Sequence, residues 1–309
     1  MGKKKFFVAG FLAILSIVVI ILLIVEVVKT ASVEEIVVER EPKRPSALCL
    51  SPSFVEMMYR IISEDYIAAV TDGCDFPSDA KTLPNLGSSI KLDWKRVDRM
   101  PIDVVMLLPN HTIEHARFAK MGKRVIVGGV DSLDSICNTM WAVGQLYKKE
   151  DSVEQWMIEL DLTLTVLKKK IVTRDARGED APKIAFVLDH KPDFSGKIIV
   201  AGMKLFYNDV IKKAGAENAF QQPVETGALT MEELVALKPD IIIEVAAPVA
   251  YEQKAEYVAM IKSSWDEKLN AVKQDKHSIK VEVFAESWAR RPGPRVIELI
   301  DNVGKIVFQ

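Results

Sequence analysis

The feature that most limits the possible folds is an alternation of strand-like and helix-like segments, which occurs twice along the chain. In the first run, "IDVVMLL" at 102–108 and "RVIVGG" at 124–129 flank the helical pattern "HTIEHARFAKMG". Short apolar strands that alternate with helices are typical of a layered α/β fold with a parallel sheet. A second run begins with "IAFVLD" at 184–189 and continues to a final helix near Pro294. We therefore predict two α/β lobes, each with a parallel sheet.

Strand patterns stop between the two runs. From 132 to about 171 the sequence is helical, and Val153, Trp156, Leu160 and Leu167 lie on one helical stripe. A helix of about 20 residues is about 30 Å long, which is enough to join two lobes. The predicted organisation is a membrane anchor or signal sequence at 1–28, a linker at 29–45, an N-terminal lobe at 46–130, a helical region with the connecting helix at 131–173 and a C-terminal lobe at 174–309.

The N-terminus carries an apolar segment that differs from the rest of the chain. After "MGKKK", residues 6–25 contain no charged side chain. About 20 apolar residues span a bilayer, and flanking lysines favour a cytoplasmic N-terminus. We therefore predict a transmembrane anchor at 6–28 with the remainder outside the cytoplasm. A cleaved signal peptide is the alternative, although its apolar region is usually only about 7–15 residues. The body is extracytoplasmic in either case.

Composition and motifs argue against several other functions. The net charge of −2 over 309 residues lacks the basic excess typical of nucleic-acid binding. Phosphate loops, GxSxG elbows and dinucleotide fingerprints are missing from the sequence. The nearest approach to a catalytic cluster is formed by Asp72, Asp75 and Asp79. These residues are more simply explained as acidic residues of a turn. We expect a protein that is not an enzyme and does not bind nucleic acid.

Cysteines and histidines leave two questions open. Cys49 and Cys74 pair if their strands are neighbours, whereas three cysteines in total favour buried free thiols. His111 and His115 are four residues apart on a predicted helix, a spacing that can hold a metal ion. No third ligand accompanies them in the sequence, so surface histidines are the alternative interpretation.

Several segments resemble, in order, the metal-chelate receptors of ABC importers, the solute-binding proteins for iron–siderophore complexes, haem and cobalamin. The segments are "LCLSPSFVEMMYRI", "AAVTDGCDFPSDAKTLPNLG", "PIDVVMLL", "AGMKLFYNDVIKKAGAENAF", "LTMEELVALKPDIIIEV" and "RPGPRVIELI". The resemblance implies two Rossmann-like lobes joined by one rigid helix, with the ligand in the cleft between them. It also implies a monomer without catalytic activity that delivers a metal chelate to a permease dimer driven by a cytoplasmic ATPase.

The second lobe supplies one predicted wall of that cleft. Ligands of open α/β sheets lie beyond the carboxyl ends of the strands, and "ESWARRPG" follows the strand "IKVEVF" there. Trp288 offers an apolar plate, while Arg290 and Arg291 offer paired donors for anionic oxygens. Alternatively, the tryptophan packs in the core and the arginines pair with surface acids. Further candidates on this wall are Met203 and Lys204.

The first lobe supplies the opposing wall. Ser51 and Pro52 begin a helix whose free N–H groups favour an anionic group. Cys74, Asp75 and Phe76 follow the second strand, and Phe76 is either an aromatic wall or part of the core.

The resemblance also locates permease docking. Each lobe of these receptors usually presents an acidic residue to arginines of the permease. Glu232 stands at that place in the second lobe, whereas the first lobe has Lys95, with Asp93 and Asp98 nearby. We expect Glu232 and Asp93 to dock, although Lys95 weakens that expectation because charge pairs orient the encounter.

Ligand class follows from the same walls. Gly73 and Thr226 stand where cobalamin receptors carry aromatic side chains, and Arg290, Arg291 and Lys204 make one wall basic. This favours an anionic chelate, a ferric siderophore or haem, over neutral cobalamin. A membrane-anchored sensor or scaffold that kept the fold but lost uptake is the alternative function.

Overall fold

The computed structural model describes residues 19–23, 45–248, 251–272 and 277–309. Of the predicted anchor at 6–28, only residues 19–23 are described, and they are helical and exposed. The remainder of the anchor and the linker up to residue 44 lie outside the described residues. No helix within the described ranges combines the length and hydropathy needed to cross a bilayer.

The first sheet is parallel throughout, as the sequence predicts. Its strand order is β2-β1-β5-β6, and a separate two-stranded antiparallel pair is formed by β3 and β4. The strands are β1 (Ala47–Cys49), β2 (Ile67–Val70), β3 (Gly87–Ser88), β4 (Lys91–Leu92), β5 (Val104–Leu107) and β6 (Arg124–Val127). Three helices accompany them: α1 (Pro52–Ile61), α2 (Trp94–Val97) and α3 (Thr112–Lys120). Because all four main strands run the same way, their carboxyl ends share one edge.

The second sheet is mixed, which corrects the prediction of a wholly parallel sheet. Its order is β10-β8-β7-β11-β12, with β9 also paired to β7. The strands are β7 (Lys183–Asp189), β8 (Ile198–Ala201), β9 (Glu217–Asn218), β10 (Thr226–Leu229), β11 (Ile241–Val245) and β12 (Lys280–Phe284). β8 is antiparallel to both β7 and β10. Only eight residues, 190–197, connect β7 to β8, which is too short for the helical crossover that a parallel neighbour requires.

Helices of the second half surround this sheet. They are α6 (Phe206–Lys213), α7 (Met231–Ala236), α8 (Tyr251–Val272), α9 (Ser287–Arg290) and α10 (Val296–Val307). A capping box begins α7, because Thr230 Oγ1 accepts from Glu233 N–H and Glu233 accepts from Thr230 N–H. Such reciprocal bonds satisfy two N–H groups that the first turn would otherwise leave unpaired.

Two helices connect the sheets. They are α4 (Leu133–Tyr147) and α5 (Glu150–Ala176), and α5 is longer than the sequence predicts. Its 27 residues correspond to about 40 Å. Buried Trp156 fixes α5 to the second half, since its Nε1–H donates to the Pro294 carbonyl over 2.8 Å.

One apolar core extends across the body of the protein. Residues Arg44–Gln309 form a single compact unit, and its largest buried cluster includes side chains of both sheets and of the helices between them. Met106 of β5, Trp156 of α5, Phe186 of β7 and Leu299 of α10 all belong to it. The shared core holds the carboxyl ends of the two sheets in a defined relative position.

Candidate functional site

A cavity of about 550 Å³ lies between the two sheets. The carboxyl ends of four strands lie beside it, β5 and β6 of the first sheet and β7 and β11 of the second. The lining residues are Leu108, Pro109, Asn110, Val130, Asp131, Leu188, Leu205, Phe206, Tyr207, Glu225, Val245, Arg290 and Pro292. The volume falls within the range of about 300–1,000 Å³ usual for small-molecule sites, and the lining is mainly apolar as such sites require.

Arg290 closes one side of this cavity. Its Nε donates to the Val245 and Ala246 carbonyls over 3.0 and 3.1 Å, and its Nη2 donates to the Leu188 and Val245 carbonyls over 3.0 and 2.6 Å. The guanidinium therefore satisfies the carbonyl groups at the ends of β7 and β11. Arg290 stabilises the wall through Nε and Nη2, while Nη1 has no hydrogen-bond partner among the described residues.

Tyr207 contributes a ring but not a reactive oxygen. Its O–H donates to the Ala289 carbonyl over 2.6 Å, and its ring packs 4.7 Å from that of Phe186. Burial raises the pKa of Tyr207, although the positive charge of Arg290 opposes the shift. The phenol stays protonated at neutral pH and serves as part of the apolar wall.

Asp131 and Glu225 bring two carboxylates to the cavity from opposite sheets. Asp131 follows β6, Glu225 precedes β10, and both side chains are exposed to solvent. Neither carboxylate has a hydrogen bond or ion pair to another described residue. Two acidic groups and one arginine are therefore the charged groups among the lining residues.

Arg291 lies outside that lining and connects the two halves of the protein. Its Nη1 contacts Glu56 Oε1 at 3.2 Å, while Nη2 contacts the Gly73 carbonyl at 2.8 Å and Asp75 Oδ1 at 2.6 Å. Arg295 donates to both oxygens of the same Glu56 over 2.8 and 2.6 Å. We call Glu56, Arg291 and Arg295 the interlobe ion cluster. It joins α1 to the turn between α9 and α10.

Three further predicted site residues lie near this cluster. Ser51 caps α1, where its Oγ accepts from Ser53 N–H over 3.3 Å, and Pro52 is the first residue of the helix. Cys74 is buried and its N–H donates to the Thr71 carbonyl. Burial raises the pKa of Cys74 to about 11. Cys49 and Cys74 are both free thiols.

Phe76 borders a second cavity, of about 460 Å³, that also includes Glu56 and Trp156. The Arg295 guanidinium lies 3.6 Å from the centre of the Phe76 ring. This cation–π contact covers one face of a side chain that is 39 % exposed. The structure thus places Phe76 beside the interlobe ion cluster, and not among the residues that line the cavity between the sheets.

The remaining second-lobe candidates flank the larger cavity. Met203 and Lys204 are exposed, and their N–H groups donate to the Gln222 and Val224 carbonyls. Trp288 packs 5.2 Å from the Phe284 ring, against the core. Among the predicted site residues that the structure describes, Arg290 alone lines the larger cavity.

The predicted docking residues lie on short helices. Glu232 is exposed in the first turn of α7, where its own N–H and the Thr230 hydroxyl lower the pKa of its carboxyl. Asp93 is exposed and caps α2, accepting from Arg96 N–H over 3.2 Å. Lys95 is exposed on the same helix. All three side chains are accessible to a partner.

A smaller cavity of about 260 Å³ adjoins Arg290 and contains a buried histidine–glutamate pair. His190 Nε2 lies 3.0 Å from Glu244 Oε2, and Nδ1 lies 2.8 Å from the Lys191 carbonyl. Both ring nitrogens face acceptors, which only the doubly protonated ring satisfies. Burial lowers the pKa of His190, but the bonds to Glu244 and Lys191 outweigh it, so the pKa lies above its ordinary 6.5. Trp265 Nε1–H also donates to Glu244.

His111 is a buried structural residue. Its Nδ1 accepts from Leu108 N–H over 3.2 Å at the start of α3. No group of three potential metal ligands occurs within the described ranges. His111 therefore fixes the segment after β5 that lines the larger cavity.

Sequence reasoning missed most of the lining. Asn110 and Asp131 follow strands that the sequence does predict, so the rule of ligand binding at carboxyl ends could have found them. Leu205 directly follows the predicted candidates Met203 and Lys204. Glu225 could not be found in this way, because it precedes β10 and does not follow a strand.

Comparison with known proteins identifies the relatives of this fold. The "Uncharacterized ABC transporter substrate-binding lipoprotein YvrC" of Bacillus subtilis is 23% identical over 90% of this chain and 84% of its own. A vitamin B12-binding protein of Photorhabdus laumondii is 22% identical over 81% of this chain and 83% of its own. A periplasmic heme binding protein from Pseudomonas aeruginosa superposes with a TM-score of 0.67, at 15% identity, over 85% of this chain and 92% of its own.

Two α/β sheets with a cavity between their strand ends define a solute-binding protein of the cleft type. A family model for periplasmic binding proteins matches residues 48–277. The chain belongs to the periplasmic binding protein family, and it is accordingly a binding protein and not an enzyme.

Proposed function

We propose that this chain is the solute-binding subunit of an ABC importer and that it captures a metal chelate in the cavity between the two sheets. The observation that carries the proposal is the cavity itself, whose walls come from both halves of the chain. A ligand held there contacts both halves at once, so its capture is coupled to their relative position. The relationship to an ABC transporter substrate-binding lipoprotein supports the importer assignment.

The proposed ligand is a ferric siderophore, haem or cobalamin. Relatives named for vitamin B12 and for heme support this set. The preference for an anionic chelate depended on Arg290, Arg291 and Lys204, of which only Arg290 lines the cavity. Arg291 faces Glu56 and Asp75 instead.

The proposed partner is a permease dimer with a cytoplasmic ATPase. Glu232 and Asp93 are our candidates for the docking contacts, since both are exposed acidic groups on separate halves. Lys95 beside Asp93 should weaken the contact on that half, because a like charge near the permease arginines reduces the on-rate. We further propose that residues 6–28 tether the protein to the cytoplasmic membrane and that the body is monomeric outside it.

Calorimetric titration of the full chain with ferric siderophores, haem and cobalamin tests the capture function. We expect saturable submicromolar binding of one chelate, reduced at least tenfold by Leu205→Arg, which places a charge in the apolar wall. Leu162→Arg is the matched control, because Leu162 is exposed on α5 outside the cavity. Binding that survives Leu205→Arg unchanged would remove the cavity from the mechanism, and no binding across the panel would refute chelate capture.

A further inference from the structure

The arginine-rich turn indicates an anionic ligand, whereas the charges that line the cavity favour a ligand that is not anionic. We propose that the cavity selects chelates of neutral or positive charge, which present N–H or ammonium groups to Asp131 and Glu225. The inference rests on the proposed capture function and specifies the chemical class of its ligand.

The acidic groups are available for a ligand. Asp131 and Glu225 approach the cavity from opposite sheets, are exposed, and have no hydrogen-bond or ion-pair partner within the described ranges. A ligand with donors at two separated positions can bind both carboxylates and so join the two halves. Charge-assisted bonds of this kind are roughly twice as strong as neutral ones.

Two of the three positive groups predicted for this wall, Arg290 and Arg291, are largely committed elsewhere, while the third, Lys204, is exposed and flanks the cavity without lining it. Arg290 uses Nε and Nη2 on the carbonyls of Leu188, Val245 and Ala246, which leaves Nη1 for a ligand. Arg291 is balanced by Glu56 and Asp75 and does not line the cavity. The formal charge of the lining is therefore −1, from two carboxylates and one guanidinium.

Helix N-termini do not reverse this balance. The start of α4 would attract an anion, but Leu133 N–H already donates to Asp209 Oδ2 over 2.8 Å. The start of α6 lines the cavity at Phe206 and carries roughly half a positive charge. Asp209 lies in the first turn of α6 and offsets that charge. An anionic chelate thus meets a lining whose formal charge is −1, and an unfavourable charge is one way in which binding sites reject competitors.

Two matched ligand series separate charge from shape. The first is a ferric trihydroxamate with a terminal ammonium group, together with its acetylated and succinylated forms. These three chelates share one metal core and differ by about one charge unit at each step. The second series is cobalamin and its monocarboxylic acid, in which one amide becomes a carboxylate.

Titration of the full chain with both series at low ionic strength gives the result. We expect one of the two series to bind. Within that series, the uncharged or cationic member should bind at least tenfold more tightly than the anionic member. In the Asp131→Asn/Glu225→Gln double variant this ratio should fall toward one. Glu154→Gln is the control, because Glu154 is exposed on α5 outside the cavity, and it should preserve the ratio.

The possible failures are distinguishable. Equal or tighter binding of the anionic member, or a ratio that the double variant leaves unchanged, overturns the charge selection while chelate capture stands. If haem binds while no member of either series does, charge selection fails and chelate capture stands. If haem does not bind either, both fail together.

Discussion

Substitution of Glu56 by glutamine tests the interlobe ion cluster most directly. Only 1 % of the Glu56 side chain is exposed, and its two oxygens accept three bonds from Arg291 and Arg295. These arginines are themselves 13 % and 12 % exposed. Glutamine preserves the shape but removes the negative charge and one acceptor oxygen. Two buried guanidinium groups then lose their shared counter-ion.

The magnitude follows from the burial of the cluster. Removing one partner of a buried ion pair destabilises a protein by about 3–5 kcal/mol, because the remaining charge stays desolvated. Arg291 keeps its ion pair with Asp75, whose side chain is 44 % exposed. The loss that comes from Arg291 therefore lies in the lower half of that range. For a protein of this size, about 3–5 kcal/mol corresponds to a decrease in Tm of roughly 6–20 °C.

Urea unfolding monitored by circular dichroism measures this change in the free energy of unfolding. The matched control is Glu159→Gln, which removes a 2.5 Å contact to Arg60 between side chains that are 44 % and 40 % exposed. An exposed pair contributes roughly 0–1 kcal/mol. A loss for Glu56→Gln no larger than that of the control would refute our account of the interlobe ion cluster.

Three further outcomes follow from other contacts. The pKa of His190 is raised in the folded protein, so the charged ring should stabilise the fold relative to His190→Gln. This stabilisation should be complete below pH 6.5 and should disappear as the pH rises through the folded-state pKa. A difference in the free energy of urea unfolding that stays constant between pH 5.5 and 9 would contradict this. Gly202→Ala should destabilise the protein by about 1–3 kcal/mol, because the new Cβ would lie 2.2 Å from the Val224 carbonyl oxygen. Gly196→Ala is the control, since its Cβ would meet only the flexible Lys191 side chain. Equal decreases in Tm for the two variants would contradict the clash. Burial raises the pKa of Cys74 to about 11, so little of the reactive thiolate is present at pH 8. Alkylation of Cys74 at pH 8, followed by mass spectrometry, should therefore be roughly 100-fold slower in the native than in the denatured protein. Equal rates would refute the burial argument.

The sequence predicts the α/β class and the first sheet because each of those strands is a short apolar run with turn residues around it. It does not predict the direction of β8, since an isolated strand pattern carries no information on orientation. The eight residues before β8 were a usable signal, because a parallel connection needs a dozen or more. Helix α8 was missed although the buried residues Ile261, Trp265 and Leu269 follow each other at the four-residue spacing of a helical stripe.

The candidate site was harder to predict than the fold. A tryptophan and two arginines beyond a strand look like ligand contacts, but sequence alone does not show what each guanidinium meets. Arg291 meets Glu56, which is 235 residues away in the chain, and Arg290 meets the ends of two strands. Only the packing of the two halves decides which charges stay free for a ligand.

The long connecting helix α5 also shapes the thermodynamics of capture. The strands of the first sheet all precede α5 in the chain and those of the second all follow it, so the cavity has two walls joined as if by a stiff tether. For a ligand that touches one wall, meeting the second is an intramolecular event with a high effective concentration. A rigid tether keeps that concentration high only for ligands whose length matches the gap. We therefore expect the fixed gap between the two walls to discriminate chelates by size, independently of their charge.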